Sequence, residues 1–419
     1  MIYIPRELEG KIAGLLQGPE SIAIVGPRQA GKTTVIRRLC DRLGDEAVFI
    51  DLEDPDEVAL FDNDVKAFAH LRVKGRRFVF LDEFQYSKHG GRHLKFLHDH
   101  TGAKFIVSGS SCAEVTLKAG EAMTGRIFLL DLYPLSLREF LSWKDPEASS
   151  LVRERLLALR PVGEPLHTRI TAMAEEMILW GGYPRVAISR GQDEKKLVLK
   201  NLVATYLMQD IRGFFRLASE YPLQKLLRAL ALQLGNIVEY SELGQISGLG
   251  YGALKRHLCI LEETFITRTC RPWFRNRRQE LVKNPKVYFL DTGLRNHLVS
   301  DFRRLASRPD RGFLMEGFIA SELIKQESEI HFWRTKAKAE VDFVLEREGD
   351  LIAVEVKSGQ ERSAGRSLYS FLRKYRPRVA LVLHAGDVSE VRIEGIRVLF
   401  LPFYSTILDI HEIVEAALG

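Results

Sequence analysis

The sequence predicts an α/β fold that opens on a parallel sheet and continues through helical and further α/β parts. Three observations predict it. An apolar run, Ile22-Ala23-Ile24-Val25, leads into Gly26-Pro27-Arg28-Gln29-Ala30-Gly31-Lys32-Thr33, and Thr34-Val35-Ile36-Arg37-Arg38-Leu39 follows with helical spacing. A second apolar run, Phe78-Val79-Phe80-Leu81, ends in Asp82-Glu83 about 50 residues downstream. Near the other end, Glu340-Val341-Asp342-Phe343-Val344-Leu345 and Leu351-Ile352-Ala353-Val354-Glu355-Val356-Lys357 are two strand-like runs around a turn.

The first element is strand, glycine loop, helix, the context that a G-x-x-x-x-G-K-T stretch requires to hold phosphates. Gly26 and Gly31 let the backbone curl so that its N–H groups face an anion. The helix N-terminus adds partial positive charge. Lys32 is placed for the β- and γ-phosphates, and the Thr33 hydroxyl for Mg²⁺. The nucleotide-binding positions are then Gly26, Pro27, Arg28, Gln29, Ala30, Gly31, Lys32, Thr33 and Thr34, with ATP and Mg²⁺ as the expected ligands. A glycine turn that matches by chance is the plainer alternative.

At the second strand, Asp82 is expected to hold Mg²⁺, directly or through water. Glu83 is placed to polarise the attacking water as general base. A third strand, Lys104-Phe105-Ile106-Val107, ends in Ser108-Gly109-Ser110-Ser111. Ligands bind at the C-terminal edge of parallel sheets. Ser108 is read there as a γ-phosphate sensor or water-orienting group, and an ordinary polar turn is the competing reading. Arg126 precedes the strand Ile127-Phe128-Leu129-Leu130. In AAA-type ATPases an arginine near this point reaches the neighbouring subunit's nucleotide and stabilises transition-state charge. That role requires a homo-oligomer, and a surface arginine is the alternative. Trp180-Gly181-Gly182-Tyr183-Pro184-Arg185 resembles the second sensor of AAA-type lids, with Arg185 facing the γ-phosphate. A glycine turn with a capping arginine is the alternative.

Residues 222–290 change character. Residues 223–234 have helical spacing, 240–249 read as a short helix and turn, and 251–263 as a second helix with Leu254, Leu258 and Leu261 on one face and Lys255, Arg256 and His257 on the other. Two strand-like runs follow. Helices then a hairpin describe a winged helix-turn-helix. The hairpin region carries Arg268, Arg271, Arg275, Arg277, Arg278, Lys283 and Lys286, interleaved with Trp273 and Phe274 and opposed by Glu280. That composition suits phosphate contact, while a winged helix used for packing is the alternative.

Alternation places residues two apart in a strand on one face, so Glu355 and Lys357 point the same way. If the two C-terminal strands pair as a hairpin, Asp342 sits beside Glu355. Asp…Glu-x-Lys on adjacent strands resembles the active site of PD-(D/E)XK nucleases. There two carboxylates hold Mg²⁺ against a scissile phosphate, and the lysine positions or activates water. Catalytic candidates are Glu83, Lys32, Arg126, Asp342, Glu355 and Lys357. Metal-ligand candidates are Thr33, Asp82, Glu316, Asp342 and Glu355, with Glu316 supplied by the preceding helix. The alternative is a retained fold whose acids are tied up in ion pairs with Lys357 and nearby arginines.

The chain as a whole resembles a large group of prokaryotic ATP-binding proteins, in which an AAA-type ATPase domain precedes a C-terminal domain of unknown function. The resemblance rests on Tyr3-Ile4-Pro5-Arg6, the stretches around 26–33, 80–83 and 108–111, Gly125-Arg126, Tyr133-Pro134-Leu135-Ser136 with Glu139-Phe140, Gly181-Gly182-Tyr183-Pro184, Glu340-Val341-Asp342-Phe343 and Glu355-Val356-Lys357. It implies prokaryotic origin, ATP binding and oligomers, but no substrate. The expected domains are an ATPase core over 1–142, a helical lid over 143–215, a winged helix over 216–300 and a nuclease-like α/β domain over 301–419.

Composition bounds the function classes. The 419 residues are 46% hydrophobic and 28% charged, ordinary values for globular protein. A net charge of +6 suits polyanion contact, although 55 acids offset most of the 61 bases. Cys40, Cys112, Cys259 and Cys270 form no C-x-x-C pair and read as reduced thiols in a cytoplasmic protein. No apolar run approaches the ~18–20 residues of a membrane span, and the N-terminus does not read as a signal peptide. The leading expectation is an ATP-hydrolysing, DNA-associated protein whose nuclease-like part cleaves or clamps DNA. The alternative is an ATP-gated switch that binds protein or DNA without cleavage.

Overall fold

The structure is a computed structural model that describes residues 2–110, 123–205, 221–280, 282–347, 349–360 and 363–418. Ser111 and Cys112 lie outside the described residues. The chain divides into two compact units, Met1–Pro134 with Glu263–Phe265, and Leu135–Glu262 with Ile266–Gly419.

The first unit is built on a five-stranded sheet in the order β2-β3-β4-β1-β5. Its strands are β1 (Ser21–Val25), β2 (Ala47–Asp51), β3 (Phe78–Asp82), β4 (Lys104–Gly109) and β5 (Ile127–Asp131). Every pairing is parallel. The inner strands β1, β3 and β4 are buried at every residue. This is why they read as unbroken apolar runs rather than alternating ones. Helix Lys32–Leu43 lays Val35, Ile36, Leu39 and Cys40 into the core with Ile22, Ile24, Phe80 and Ile106. Because β4 lies between β3 and β1, the ends of three neighbouring strands face the same edge: Val25 before the glycine loop, Asp82, and Ser108-Gly109.

The second unit carries an eight-stranded sheet in the order β12-β13-β11-β10-β9-β8-β6-β7. Its strands are β6 (Thr267–Pro272), β7 (Lys286–Phe289), β8 (His331–Arg334), β9 (Glu340–Arg347), β10 (Asp350–Val356), β11 (Val379–His384), β12 (Ser389–Ile393) and β13 (Ile396–Pro402). β8, β9 and β10 form an antiparallel meander, and β10, β11 and β13 run parallel. Helix Arg366–Tyr375 buries Leu368, Phe371 and Leu372 on this sheet and leaves Arg373 and Lys374 on its outer side. Helix Arg311–Lys325 is buried from Leu314 to Ile324. The helices that follow Leu135 join the same unit. Ser136 caps helix Leu137–Lys144 reciprocally with Glu139. Leu137 N–H donates to Glu322 at 2.7 Å.

The hairpin expected as a free wing forms differently. β6 and β7 pair antiparallel, but β6 also pairs with β8, Arg271 opposite His331 and Pro272 opposite Phe332. The hairpin is therefore the edge of the C-terminal sheet. Trp273, read as an aromatic interleaved with the basic residues of a wing, is 5% exposed and packs with Trp333, Phe371 and Tyr375. Burying it there contributes to the sheet's core, since aromatic side chains carry large apolar area. His257, expected on the exposed face, is buried and bonds the Ala253 carbonyl at 2.8 Å.

Candidate functional site

The glycine loop owes its shape to two different constraints. A Cβ on Gly26 would lie 2.1 Å from the Leu132 carbonyl oxygen, so the close approach of two backbones admits no side chain there. Gly31 takes φ +104°, in the left-handed region. Arg6, 7% exposed, braces the loop: Nη1 donates to the Ala30 carbonyl and Nη2 to the Tyr133 carbonyl, each at 2.6 Å. Sequence reasoning assigned Arg6 no role; it appeared only within the resembling Tyr3–Arg6 stretch.

Lys32 lies inside the loop and donates to the Gly26 and Pro27 carbonyls at 2.8 and 2.9 Å. Burial pushes its ammonium down to about 8, with Glu83 and Asp82 opposing the shift. Asp82 is 1% exposed and accepts the Ser108 hydroxyl. Ser108 thus touches the carboxylate that ends the neighbouring strand. Glu83 sits at φ +53°, a strained conformation for a non-glycine residue. Burial raises its carboxyl above the ordinary range, Lys32 pulls it back, and Gln85 donates to it. Lys32, Asp82, Glu83 and Ser108 are therefore brought together, with Arg28 close enough to act on Lys32 and Glu83. Thr33 and Thr34 follow Lys32 in the first turn of the helix.

Arg126 is placed elsewhere. It precedes β5, with Ser21 opposite Ile127 and Val25 opposite Asp131. Arg126 thus lies opposite Glu20, six residues or about 20 Å of extended strand at ~3.3 Å per residue from Gly26, the start of its own glycine loop. Its guanidinium pairs with Asp99 at 3.3 Å. Arg185 belongs to the second unit, where it is half-exposed and pairs with Glu194 at 2.7 Å. The preceding Gly181-Gly182 packs on Asp291. The Asp291 carboxylate accepts the Gly182 N–H at 2.7 Å, and a Cβ on Gly181 would lie 2.2 Å from it.

The C-terminal acids converge as alternation requires. β9 and β10 pair with Phe343 opposite Val354. One residue further sets Asp342 across from Glu355. Asp342 also accepts the Val356 N–H at 2.7 Å. Lys357 Nζ lies 2.7 Å from Glu355 Oε1, while Glu355 Oε2 is buried without a hydrogen-bond partner. Burial, with the Glu316 and Glu355 carboxylates close by, holds the Asp342 carboxyl well above the usual range.

One participant was read otherwise. Lys286, expected on a basic wing, has a side chain 2% exposed and pairs with Glu316 at 2.9 Å and Glu340 at 2.6 Å. Burial presses its ammonium down, but Glu316, Glu340 and Asp342 outweigh that and raise it. Tyr288 donates to Glu316 at 2.5 Å. The expected metal ligand Glu316 is thus engaged by Lys286 and Tyr288. Among the described residues, no three His, Cys, Asp or Glu side chains are arranged to hold a metal ion. Also among them, no helix is long and apolar enough to cross a membrane.

Residues 19–141 match the model of an AAA domain. Residues 171–305 and 311–404 match models of two domains of unknown function, DUF8612 and DUF4143. The chain is similar to an uncharacterized protein of Mycobacterium tuberculosis, 26% identical over 396 residues, covering 92% of this chain and 81% of that protein. It is also similar to an uncharacterized protein of Methanocaldococcus jannaschii, 22% identical over 357 residues, covering 82% and 75%. Among solved structures it is similar to the Thermotoga maritima RuvB Holliday junction branch migration motor, 15% identical, covering 66% of this chain and 95% of that chain at a TM-score of 0.32. The ADP form of the Aeropyrum pernix ORC2 protein is 15% identical, covering 64% and 87% at 0.29. The parallel sheet, the glycine loop after β1, the acids that end β3 and the match over 19–141 together make the first unit an AAA-type P-loop ATPase domain.

Proposed function

We propose that this chain binds and hydrolyses Mg-ATP in its first unit and uses its second unit to hold nucleic acid, DNA foremost, without cutting it. The observation that carries the reading is the convergence of Lys32, Asp82, Glu83 and Ser108 at the C-terminal edge of one parallel sheet. The donor set suits Mg²⁺, a hard cation that takes oxygen ligands: the Thr33 hydroxyl and the Asp82 carboxylate. When bound, the ion neutralises charge on the β- and γ-phosphates. Lys32 exchanges its loop carbonyls for phosphate oxygens, and a charged ligand restores what burial takes from its ammonium. Ser108 fixes the orientation of Asp82. Glu83, raised by burial, is suited to accept a proton from water near neutral pH. Arg126, on the far edge of its own sheet, serves a neighbouring copy, so turnover requires a homo-oligomer.

The nucleic-acid reading rests on the exposed Arg271, Arg275, Arg278 and Lys283, and on Lys255 and Arg256 of helix Tyr251–Glu263. Such cations bind phosphates regardless of sequence. A metal-dependent nuclease is the second reading, favoured by Asp342 across from Glu355 with Lys357 beside it. Against it, the expected third ligand Glu316 is engaged by Lys286 and Tyr288, Lys357 pairs with Glu355, and among the described residues no three His, Cys, Asp or Glu side chains are arranged to hold a metal. The test is phosphate release with and without duplex DNA, alongside incubation of labelled DNA with Mg²⁺ or Mn²⁺. The proposal expects turnover that responds to DNA and vanishes in Lys32→Ala, with the DNA left intact. Absence of turnover under both conditions would overturn it, and cleavage lost in Asp342→Ala would establish the second reading.

A further inference from the structure

We infer that Tyr240 and Tyr251, with Lys255 and Arg271, form a stacking platform for an unpaired base, so that the second unit holds single-stranded DNA in preference to duplex. This rests on the reading that the second unit binds nucleic acid through exposed cations, and adds the form of nucleic acid it takes. The two tyrosines open successive helices, Tyr240–Ser247 and Tyr251–Glu263. Gly248, at φ +74°, ends the first helix and turns the chain into the second. The two rings then meet at a steep angle, 5.4 Å between centroids and 69° between planes. Lys255, one turn along the second helix, sets its ammonium 4.6 Å from the centre of the Tyr251 ring and 5.8 Å from that of Tyr240. Arg271 on β6 is close enough to act on both Tyr240 and Lys255.

Two features of this patch are not explained by the fold. Tyr251 is 61% exposed, so its ring is not there to fill the core. Among the described residues its ring partners are Tyr240, steeply inclined, and the Lys255 ammonium. Neither covers it with a parallel ring. Gly252 sits in the first turn of the same helix, where alanine is the better helix former. Its φ lies outside the left-handed region, and a Cβ there would meet nothing within 4 Å. Neither backbone strain nor crowding within the chain calls for glycine at that position. A bare backbone beside an open ring lets a ligand come close.

Charge and ring geometry together select the ligand. Lys255 and Arg271 are exposed cations at the rings, and the exposed Arg256 follows on the same helix. They attract the phosphates of any nucleic acid. Glu262 also acts on Tyr240, but its carboxylate accepts the Thr269 N–H at 2.5 Å. Phosphate contact alone leaves the rings unused. A tyrosine ring gains by stacking on the face of a base, whatever the sequence, because every base has such a face. In a duplex those faces are covered by neighbouring base pairs, and only base edges reach the grooves. A single strand offers base faces and phosphates together, which suits rings set among cations.

The test is fluorescence-anisotropy titration of the nucleotide-free full chain with three labelled probes of equal length: oligo-dT, an abasic strand and a duplex. Wild type is expected to bind oligo-dT more tightly than either of the others. Tyr251→Ala should weaken oligo-dT binding about 5- to 150-fold, the measure of one lost stacked base, and leave the abasic strand and the duplex within about twofold. Tyr251→Phe keeps the ring and should stay near wild type. Gly252→Leu keeps every charge but fills the bare space, and should weaken oligo-dT in the same selective way. Unchanged oligo-dT affinity in Tyr251→Ala would overturn the inference, and so would an equal loss on all three probes. A wild-type chain that binds oligo-dT no more tightly than the abasic strand would overturn it without any variant. Each of those outcomes leaves the phosphate reading standing, provided duplex binding falls with salt. Absence of binding to every probe would overturn that reading as well, so the two failures are distinguishable.

Discussion

Arg6→Ala tests whether the glycine loop is held from outside. Arg6 is 7% exposed and donates two hydrogen bonds of 2.6 Å, to the carbonyls of Ala30 and Tyr133. Hydrogen bonds to a charged donor contribute about 1.5–3 kcal/mol each. Two of them amount to ~3–6 kcal/mol, and relief of the buried guanidinium's desolvation reduces the loss to about 2–4 kcal/mol. For a unit of this size that corresponds to a fall of roughly 5–15 °C in the melting temperature of the first unit. The Ala30 carbonyl is one residue from Gly31 and two from Lys32, so affinity for nucleotide should fall as well. The assays are thermal unfolding of the nucleotide-free protein and titration with a fluorescent ATP analogue. Arg6→Lys keeps the charge but lacks the fork that spans two carbonyls, and should recover only part of both losses. A melting temperature and a nucleotide affinity both unchanged in Arg6→Ala would refute the bracing argument.

Other outcomes follow from the same geometry. Burial holds Lys32 at about 8, so above that pH the free protein increasingly carries a neutral amine and must take up a proton to bind phosphate. ATP affinity should therefore be flat below about pH 8 and weaken about tenfold per pH unit above it; affinity independent of pH across this range would contradict the assignment. Arg126→Ala should cut turnover far more than nucleotide affinity, and wild-type activity per chain should rise with protein concentration. A monomer with concentration-independent turnover would remove the role in trans. Changing Arg275 and Arg278 together to Ala should weaken DNA binding similarly for different sequences and flatten its salt dependence. Arg277, paired with Glu346 at 3.1 Å, should matter less. Unchanged affinity in the Arg275 and Arg278 double variant would place the contact elsewhere.

How much was legible depends on distance along the chain. The glycine loop, Asp82 and Glu83 are local patterns at strand ends, and the structure sets them together because β3, β4 and β1 are neighbours. The pairing of Asp342 with Glu355 was legible too, since a tight turn fixes the register and alternation fixes the face. Arg6 was not. Its partners lie 24 and 127 residues away, and no local signal marks an arginine for a buried carbonyl. Lys286 was misread for the same reason. Among Arg268, Arg271 and Lys283 it looks like one more wing cation, whereas Glu316 is 30 residues distant. Trp273 was misread through β6, whose pairing with β8 turns an apparent wing into a sheet edge with one buried face. The Gly181-Gly182 pair was noticed but not its cause, the buried Asp291 more than 100 residues on.

The most direct test of ATP hydrolysis is phosphate release by Glu83→Gln at matched nucleotide occupancy. Glutamine keeps the shape of a side chain that sits behind a strained backbone beside Lys32, but it cannot accept a proton. Binding of Mg-ATP should be retained within a few-fold, and turnover should fall by at least ~100-fold, the scale of a lost general base. Turnover in Glu83→Gln equal to wild type would contradict the assignment of Glu83 as the base.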